Sequence, residues 1–142
     1  MYIKLTNGIP ETQSIAQLRQ NNPQVSFPSE VSNSVLAEYG MFPLTVLPRP
    51  EIDENTQFLK ASEFYQVDDN WYQQYLPENL PETQAADNIR SLRNQRLSKS
   101  DWTQVADAPV DKAAWASYRQ ALRDVTTQTE FPLNVSWPIK PT

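Results

Sequence analysis

An α+β fold is expected for this chain, on three observations. Strand and turn signals fill residues 1–76, ending in the aromatic run Trp71-Tyr72-Gln73-Gln74-Tyr75. Helical periodicity belongs to the C-terminal part, where Trp115, Tyr118, Leu122 and Val125 recur at spacings of three and four. Between them lies Leu76-Pro77-Glu78-Asn79-Leu80-Pro81-Glu82, proline-punctuated polar filler without periodicity. The expected organisation is an N-terminal β-rich docking module over residues 1–76, with a hairpin and short helices. A proline-rich linker follows over 77–82, and then a module of two helices with an extended Pro/Trp tail over 83–142.

Tyr2-Ile3-Lys4-Leu5 reads as a short strand ended by Asn7-Gly8, a strong turn dipeptide. Ser14 is placed to cap a helix over Ile15-Ala16-Gln17-Leu18-Arg19, which stops before Asn22-Pro23. Val25-Ser26-Phe27-Pro28 reads as extended. Ser32 or Asn33 caps a second short helix running to Tyr39, and Gly40 takes the left-handed position that closes it. Phe42-Pro43-Leu44-Thr45-Val46-Leu47-Pro48 alternates prolines with apolar residues. Proline donates no ladder hydrogen bond, which places this run at a sheet edge or along a partner. Thr56 to Val67 and Trp71 to Tyr75 form the expected hairpin, turning through Asp68-Asp69-Asn70.

A helix follows from about Thr83 to Leu97, with a thin apolar stripe of Ala85, Ala86, Ile89, Leu92 and Leu97. Ser100-Asp101-Trp102 sets small capping side chains before an aromatic residue. Asp111, after Pro109-Val110, is the expected N-cap of the clearest helix, its carboxylate accepting from the free N–H groups of the first turn. Arg119 and Arg123 lie off the apolar face and suit the C-terminal end of the helix dipole. This helix should end between Val125 and Gln128, because Phe131-Pro132 and Trp137-Pro138 push the residue before each proline into extended geometry.

Composition narrows the function classes. The chain has 142 residues, enough for one domain or two very small ones. It carries 12 prolines and 2 glycines, so stiff, extended segments are expected. Its hydrophobic share of 39% is below the roughly 45–50% of an ordinary globular domain, yet 11% aromatic residues argue against disorder. An ordered, aromatic-rich protein that needs a partner to finish burying its apolar surface is the expectation. A net charge of −5 disfavours nucleic acid, which needs a concentrated positive surface. The absence of cysteine and histidine removes disulfides, thiolate sites, histidine metal sites and histidine general bases. The opening MYIKLTNGIPE has no apolar h-region, so no secretory signal is expected. No run approaches the roughly 18 apolar residues of a membrane helix, so no membrane insertion is expected.

Several tryptophan-centred motifs stand in a set order in the C-terminal part. Leu97-x-x-Ser100-Asp101-Trp102-Thr103-Gln104 is followed by Asp107-Ala108-Pro109. Then come Trp115-x-x-Tyr118-Arg119-Gln120-Ala121-Leu122-Arg123-Asp124, Phe131-Pro132 and Trp137-Pro138. This run, over roughly residues 80–142, resembles the tail assembly chaperone family of tailed bacteriophages. Ile15–Arg19 with Asn22-Pro23, Ser26-Phe27-Pro28, Tyr39-Gly40 and Phe42-Pro43 is similar to the leading region of some phage tail-fibre-associated proteins. The resemblance implies a protein of virion assembly. Its partner would be a tail-fibre or other tail protein, its place the host cytoplasm during assembly, and its oligomeric state one that follows the fibre's symmetry. Retention in the virion tail as a cap or connector is left open by it.

Each chemical constellation has a plainer reading. Glu51, Asp53 and Glu54, and the pair Asp68 and Asp69, are candidates for catalytic carboxylates or a calcium site. They lack EF-hand spacing, and Asp dominates turns for backbone reasons, so solvated turns are the expectation. Arg90, Arg93, Arg96 and Lys99 drift around a helix at three-residue steps, which spreads their charge; a solvated face is expected, with an acidic protein partner as the alternative. Trp115 and Tyr118 suit a core, whereas Trp102 and Trp137 suit either a core or a partner surface.

The expected function is therefore a non-enzymatic tail-fibre assembly protein without cofactor or metal. It shields apolar or unpaired-strand surface on a fibre subunit until the oligomer forms, or stays as a permanent cap or connector. Its proline-rich strands around residues 42–50 and 131–141 suit strand addition to a partner's edge. Its candidate partner-binding residues are Trp71, Trp102, Trp137, Phe42 and Phe131. A virion structural component or receptor-binding tip is the alternative. A carboxylate hydrolase acting on envelope polymers ranks far below both.

Overall fold

A computed structural model describes residues 1–142. The fold is α+β. The chain divides into two compact units: Met1–Pro50 with Lys60–Leu76, and Glu51–Leu59 with Pro77–Thr142.

The first unit is built on a five-stranded sheet of order β2-β1-β3-β6-β5. Strands β1 (Tyr2–Thr6) and β2 (Ile9–Gln13) form an antiparallel hairpin around Asn7 at φ 53° and Gly8 at φ 81°. That left-handed pair matches the twist of the strands it joins. Helix α1 (Ile15–Asn21) opens with a capping box: Gln17 N–H donates to Ser14 Oγ at 3.2 Å, and Ser14 N–H donates to Gln17 Oε1 at 2.8 Å. Helix α2 (Asn33–Glu38) is capped by Ser32, and Gly40 follows at φ 69°. Leu18, Val31, Leu36 and Met41 make the buried core, with Tyr2, Ile15, Phe27, Val35 and Tyr39 packed around it. Residues 22–32 carry no helix or strand. Arg19 Nη2 holds that loop by donating to the carbonyls of Pro28 at 2.7 Å and Ser29 at 3.1 Å.

The proline-rich run departs from its expected place. β3 (Met41–Val46) is the middle strand of the sheet, where proline is normally excluded. The reason is that its two ladders lie end to end. Met41–Pro43 pairs antiparallel with β1, and Leu44–Val46 pairs in parallel with β6 (Asn70–Gln73). The two registers meet at Pro43 and Leu44, where Leu44 N–H still donates to the Met1 carbonyl at 3.3 Å, so Pro43 stands where one ladder gives way to the other. A strand committed in this way is not free to extend a partner's sheet. β5 (Tyr65–Val67) and β6 form the expected hairpin around Asp68, at φ 52°, and Asp69; Asn70 is already paired, opposite Val67. The upstream residues expected in this hairpin belong instead to β4 (Gln57–Ala61), which pairs with β7 (Tyr75–Asn79) in a two-stranded ribbon. Residues 77–79 of the expected linker thus lie in a strand. Each strand of a two-stranded ribbon has an unpaired edge, which tolerates Pro77.

Within the second unit, Glu51–Leu59 is held by Asn88 Nδ2, which donates to the Asn55 carbonyl at 3.0 Å, and by Leu80 N–H, which donates to the Thr56 carbonyl at 2.8 Å. Helix α3 (Glu82–Lys99) buries Ala85, Ala86 and Ile89. A single 3₁₀ turn, Asp101–Gln104, leads away from it. Helix α4 (Lys112–Asp124) starts where expected, with Asp111 Oδ1 accepting from the N–H groups of Ala113 and Ala114, both at 3.0 Å. It passes into a 3₁₀ turn at Val125–Thr127. Phe131-Pro132 is cis and lies within a turn, so the irregular tail begins only after Asn134. Gln128 clamps that tail by two backbone contacts at 2.8 Å, donating to the Ser136 carbonyl and accepting from Ser136 N–H.

Asp111→Ala removes the α4 cap and is expected to destabilise the protein by about 1 kcal/mol, whereas Asp111→Asn, which keeps an accepting oxygen, should cost a fraction of that. Urea titration followed by circular dichroism checks this; equal losses in the two variants contradict the capping role.

A candidate binding cleft in the C-terminal unit

The cleft is formed where α3, the 3₁₀ turn and α4 meet. Leu97 and Trp137 pack against the buried Trp115, Tyr118 and Leu122 of α4. Val125, one turn beyond Leu122, is fully buried. The Trp115 and Tyr118 rings meet edge to face at 5.7 Å. Trp102 lies against Trp115 with ring centroids 6.2 Å apart, yet remains 52% exposed. A half-exposed tryptophan anchored on a buried one offers a large, rigid apolar surface with little rotational freedom left to lose.

Around these rings lies a cavity of about 300 Å³, lined by Arg96, Lys99, Ser100, Trp102, Trp115, Tyr118, Pro138 and Lys140. Its floor and walls are aromatic and its charged groups are all cationic. The Arg96 guanidinium lies 4.0 Å from the centre of the Trp137 ring, and the Lys140 ammonium 5.8 Å from that of Trp115. Cation–π contact of this kind holds a cation against a ring without neutralising its charge. Trp115 is only 4% exposed, and its indole N–H has no hydrogen-bond partner in the protein. A buried donor left unpaired costs about 1–3 kcal/mol, so it is a feature that calls for a reason.

One side chain fixes this arrangement and was misplaced by sequence reasoning. Arg119 was expected off the apolar face; it is 8% exposed. Its Nη1 donates to the Leu97 carbonyl and to Ser100 Oγ, both at 2.7 Å, and its Nη2 donates to Asp101 Oδ1 at 2.7 Å. The guanidinium of α4 thus satisfies a carbonyl at the end of α3 and orients the turn that carries Trp102. The Arg119–Asp101 pair is exposed on the Asp101 side, at 64%, so the contacts to Leu97 and Ser100, the latter buried, carry most of the energy.

The sequence-predicted residues fall in both units. Trp71 lies in β6 opposite Leu44, and Phe42 lies in β3 opposite Ile3; both are half-buried parts of the first unit's sheet. Trp102 and Trp137 are brought together at the cleft, Trp102 on its wall and Trp137 beneath Arg96. Phe131 is elsewhere in the same unit, lining a separate hollow with Pro132 and Arg90, whose guanidinium is 5.5 Å from the Phe131 ring. There Arg90 also pairs with Asp87 at 3.2 Å, and Glu82 adds a second acid to the lining. Lys140 was not singled out in the sequence, because a lysine in a proline-rich tail carries no periodic signal. Among the acidic candidates, Asp53 Oδ1 accepts from Asn55 N–H at 3.0 Å and from Asn55 Nδ2 at 2.7 Å, an Asx turn. Asp68 takes the left-handed turn position of the β5–β6 hairpin.

Arg119→Ala is expected to destabilise the second unit by about 2 kcal/mol, while Asp101→Asn, which removes only the exposed partner, should cost at most about 1 kcal/mol. Chemical denaturation with tryptophan fluorescence checks the difference. Equal costs contradict the ranking of carbonyl and hydroxyl contacts over the ion pair.

Residues 86–142 match the family model described as phage tail assembly chaperone protein. No curated protein and no solved structure matches the chain. The matched segment begins in α3 and contains every residue that lines the cleft. Residues 86–142 are thus similar to the phage tail assembly chaperone family, and this similarity supports a chaperone role in tail assembly.

Proposed function

We propose that the protein is a non-catalytic chaperone of phage tail assembly whose client is a tail fibre, held at the Trp102–Trp115 cleft. The observation that carries this reading is the coincidence of the cleft with the family-matching residues. A chaperone needs a surface that recognises apolar side chains before the client has buried them against its own copies. The cleft supplies one: a half-exposed tryptophan on a rigid aromatic base, set by Arg119 rather than by a flexible loop.

The acidic residues speak for binding over hydrolysis. Paired carboxylates act as acid and base when a shared cleft pushes their pKa values apart. Here Asp53 serves a turn of the second unit and Asp68 a hairpin of the first, and each has a backbone role that explains it.

Co-expression of the fibre with and without this chain tests the reading, with the soluble fibre as readout. The fibre is expected to be soluble only in the chain's presence. Trp102→Ala is expected to weaken fibre capture by about 2 kcal/mol, roughly thirtyfold, in line with a central interface tryptophan. A fibre equally soluble alone, or capture unchanged by Trp102→Ala in a variant whose circular dichroism is native, contradicts the proposal. Mass spectrometry of purified particles then separates a chaperone that leaves, absent from particles, from a connector that stays at fixed ratio to the fibre.

A further inference from the structure

We infer that the segment captured at the cleft is acidic: an apolar side chain flanked by carboxylates, the apolar group on Trp102 and Trp115 and the carboxylates on Arg96, Lys99 and Lys140. The inference rests on the reading of the cleft as the client-binding surface and specifies the chemistry of what it holds.

Charge is the first support. The chain carries a net charge of −5, yet the cleft gathers three cations and no acid. None of the three is paired with a carboxylate: Arg96 rests on Trp137, Lys140 lies over Trp115, and Asp101, the nearest acid in sequence, is engaged by Arg119. Three like charges around one cavity repel one another, and an apolar wall strengthens both that repulsion and the attraction of an incoming anion. The Phe131 hollow of the same unit provides the contrast. It holds one cation, Arg90, already paired with Asp87, and has no comparable pull on an acidic group.

The walls decide which anion. Trp102, Trp115, Tyr118 and Pro138 present more apolar surface than an isolated phosphate or carboxylate can use, and a cavity of about 300 Å³ suits a side chain or two rather than a duplex. A polyanion such as nucleic acid would also meet the field of a chain that is negative overall. A peptide with both an apolar anchor and carboxylates uses walls and rim together.

The full chain is tested on an array of overlapping synthetic peptides spanning the fibre and other tail proteins of the same virus. Bound peptides are expected to place Asp or Glu beside Leu, Ile, Phe or Trp, with binding that falls as salt is raised. The double variant Lys99→Glu/Lys140→Glu is expected to bind them about tenfold more weakly, whereas Arg123→Glu, an exposed reversal on α4 away from the cleft, should leave binding within about twofold. Neutral or basic bound peptides, no bound peptide, or equal losses in the two variants overturn the inference. So does tight competition by a fluorescein-labelled oligothymidine, which makes the occupant a nucleic acid. A dimer in light scattering that the double variant abolishes does the same, making the occupant a second copy of this chain. Intact fibre captured by wild type, lost in Trp102→Ala and retained in the double variant, refutes the acidic segment and leaves the chaperone reading standing. If the intact fibre is never captured, the chaperone reading itself has failed.

Discussion

The guanidinium of Arg119 is the contact on which the second unit depends. Helix α3 ends at Lys99 with carbonyls that no longer have helical partners, and α4 reaches one of them, Leu97 O, across a loop. The same guanidinium holds Ser100 Oγ and Asp101, so the first residues beyond the helix cannot wander. Ser100 Oγ in turn donates within hydrogen-bond distance of the Arg96 and Leu97 carbonyls, and Thr103 Oγ1 donates to the Ser100 carbonyl at 2.6 Å. Trp102 hangs between two residues fixed by this network. Its position over Trp115 therefore follows from polar contacts, and its exposure costs the fold little because the turn does not need its burial.

The same logic explains why the cleft remains a cleft. The tail returns to the helices through Trp137 and the Gln128 clamp on Ser136, which brings Pro138 and Lys140 to the cleft's edge. Nothing in that return covers Trp102. The cations at the rim, Arg96, Lys99 and Lys140, repel the chain's other lysines and arginines. A surface of this type suits a protein that must take hold of a partner and release it, since much of the attraction is electrostatic and the apolar contact is small.

Local signals were legible where one residue's backbone chemistry settles the matter. Asn7-Gly8, Ser14, Gly40, Asp68-Asp69 and Asp111 all took the turn and cap positions their chemistry implies. The apolar face of α4 was equally readable, since Trp115, Tyr118 and Leu122 meet one core. Pairing was not readable. Pro43 argued correctly against a strand bonded on both sides, but one strand can serve two partners in succession, and that is a property of β1 and β6 as much as of β3. β2, with Pro10 and three polar residues, is a strand because it closes a hairpin at the sheet's edge. Arg119 was placed off the apolar face by helical spacing and assigned to the helix dipole; spacing on one helix does not show that a guanidinium will find a carbonyl, a hydroxyl and a carboxylate at the end of another. The cleft was half legible: Trp102 and Trp137 were named, and two of its cations, Arg96 and Lys99, were read as spread along a helix. Only the return of the tail gathers Arg96, Lys99 and Lys140.

The central claim is that this cleft is where the client sits. Hydrogen–deuterium exchange on the full chain, free and in complex with the co-expressed fibre, measures it most directly. Protection on binding should concentrate in residues 96–103, 114–119 and 136–140, the three stretches that surround the cleft. Protection confined to the five-stranded sheet of the first unit, with these stretches exchanging as in the free protein, would contradict the claim and move the client to the other unit.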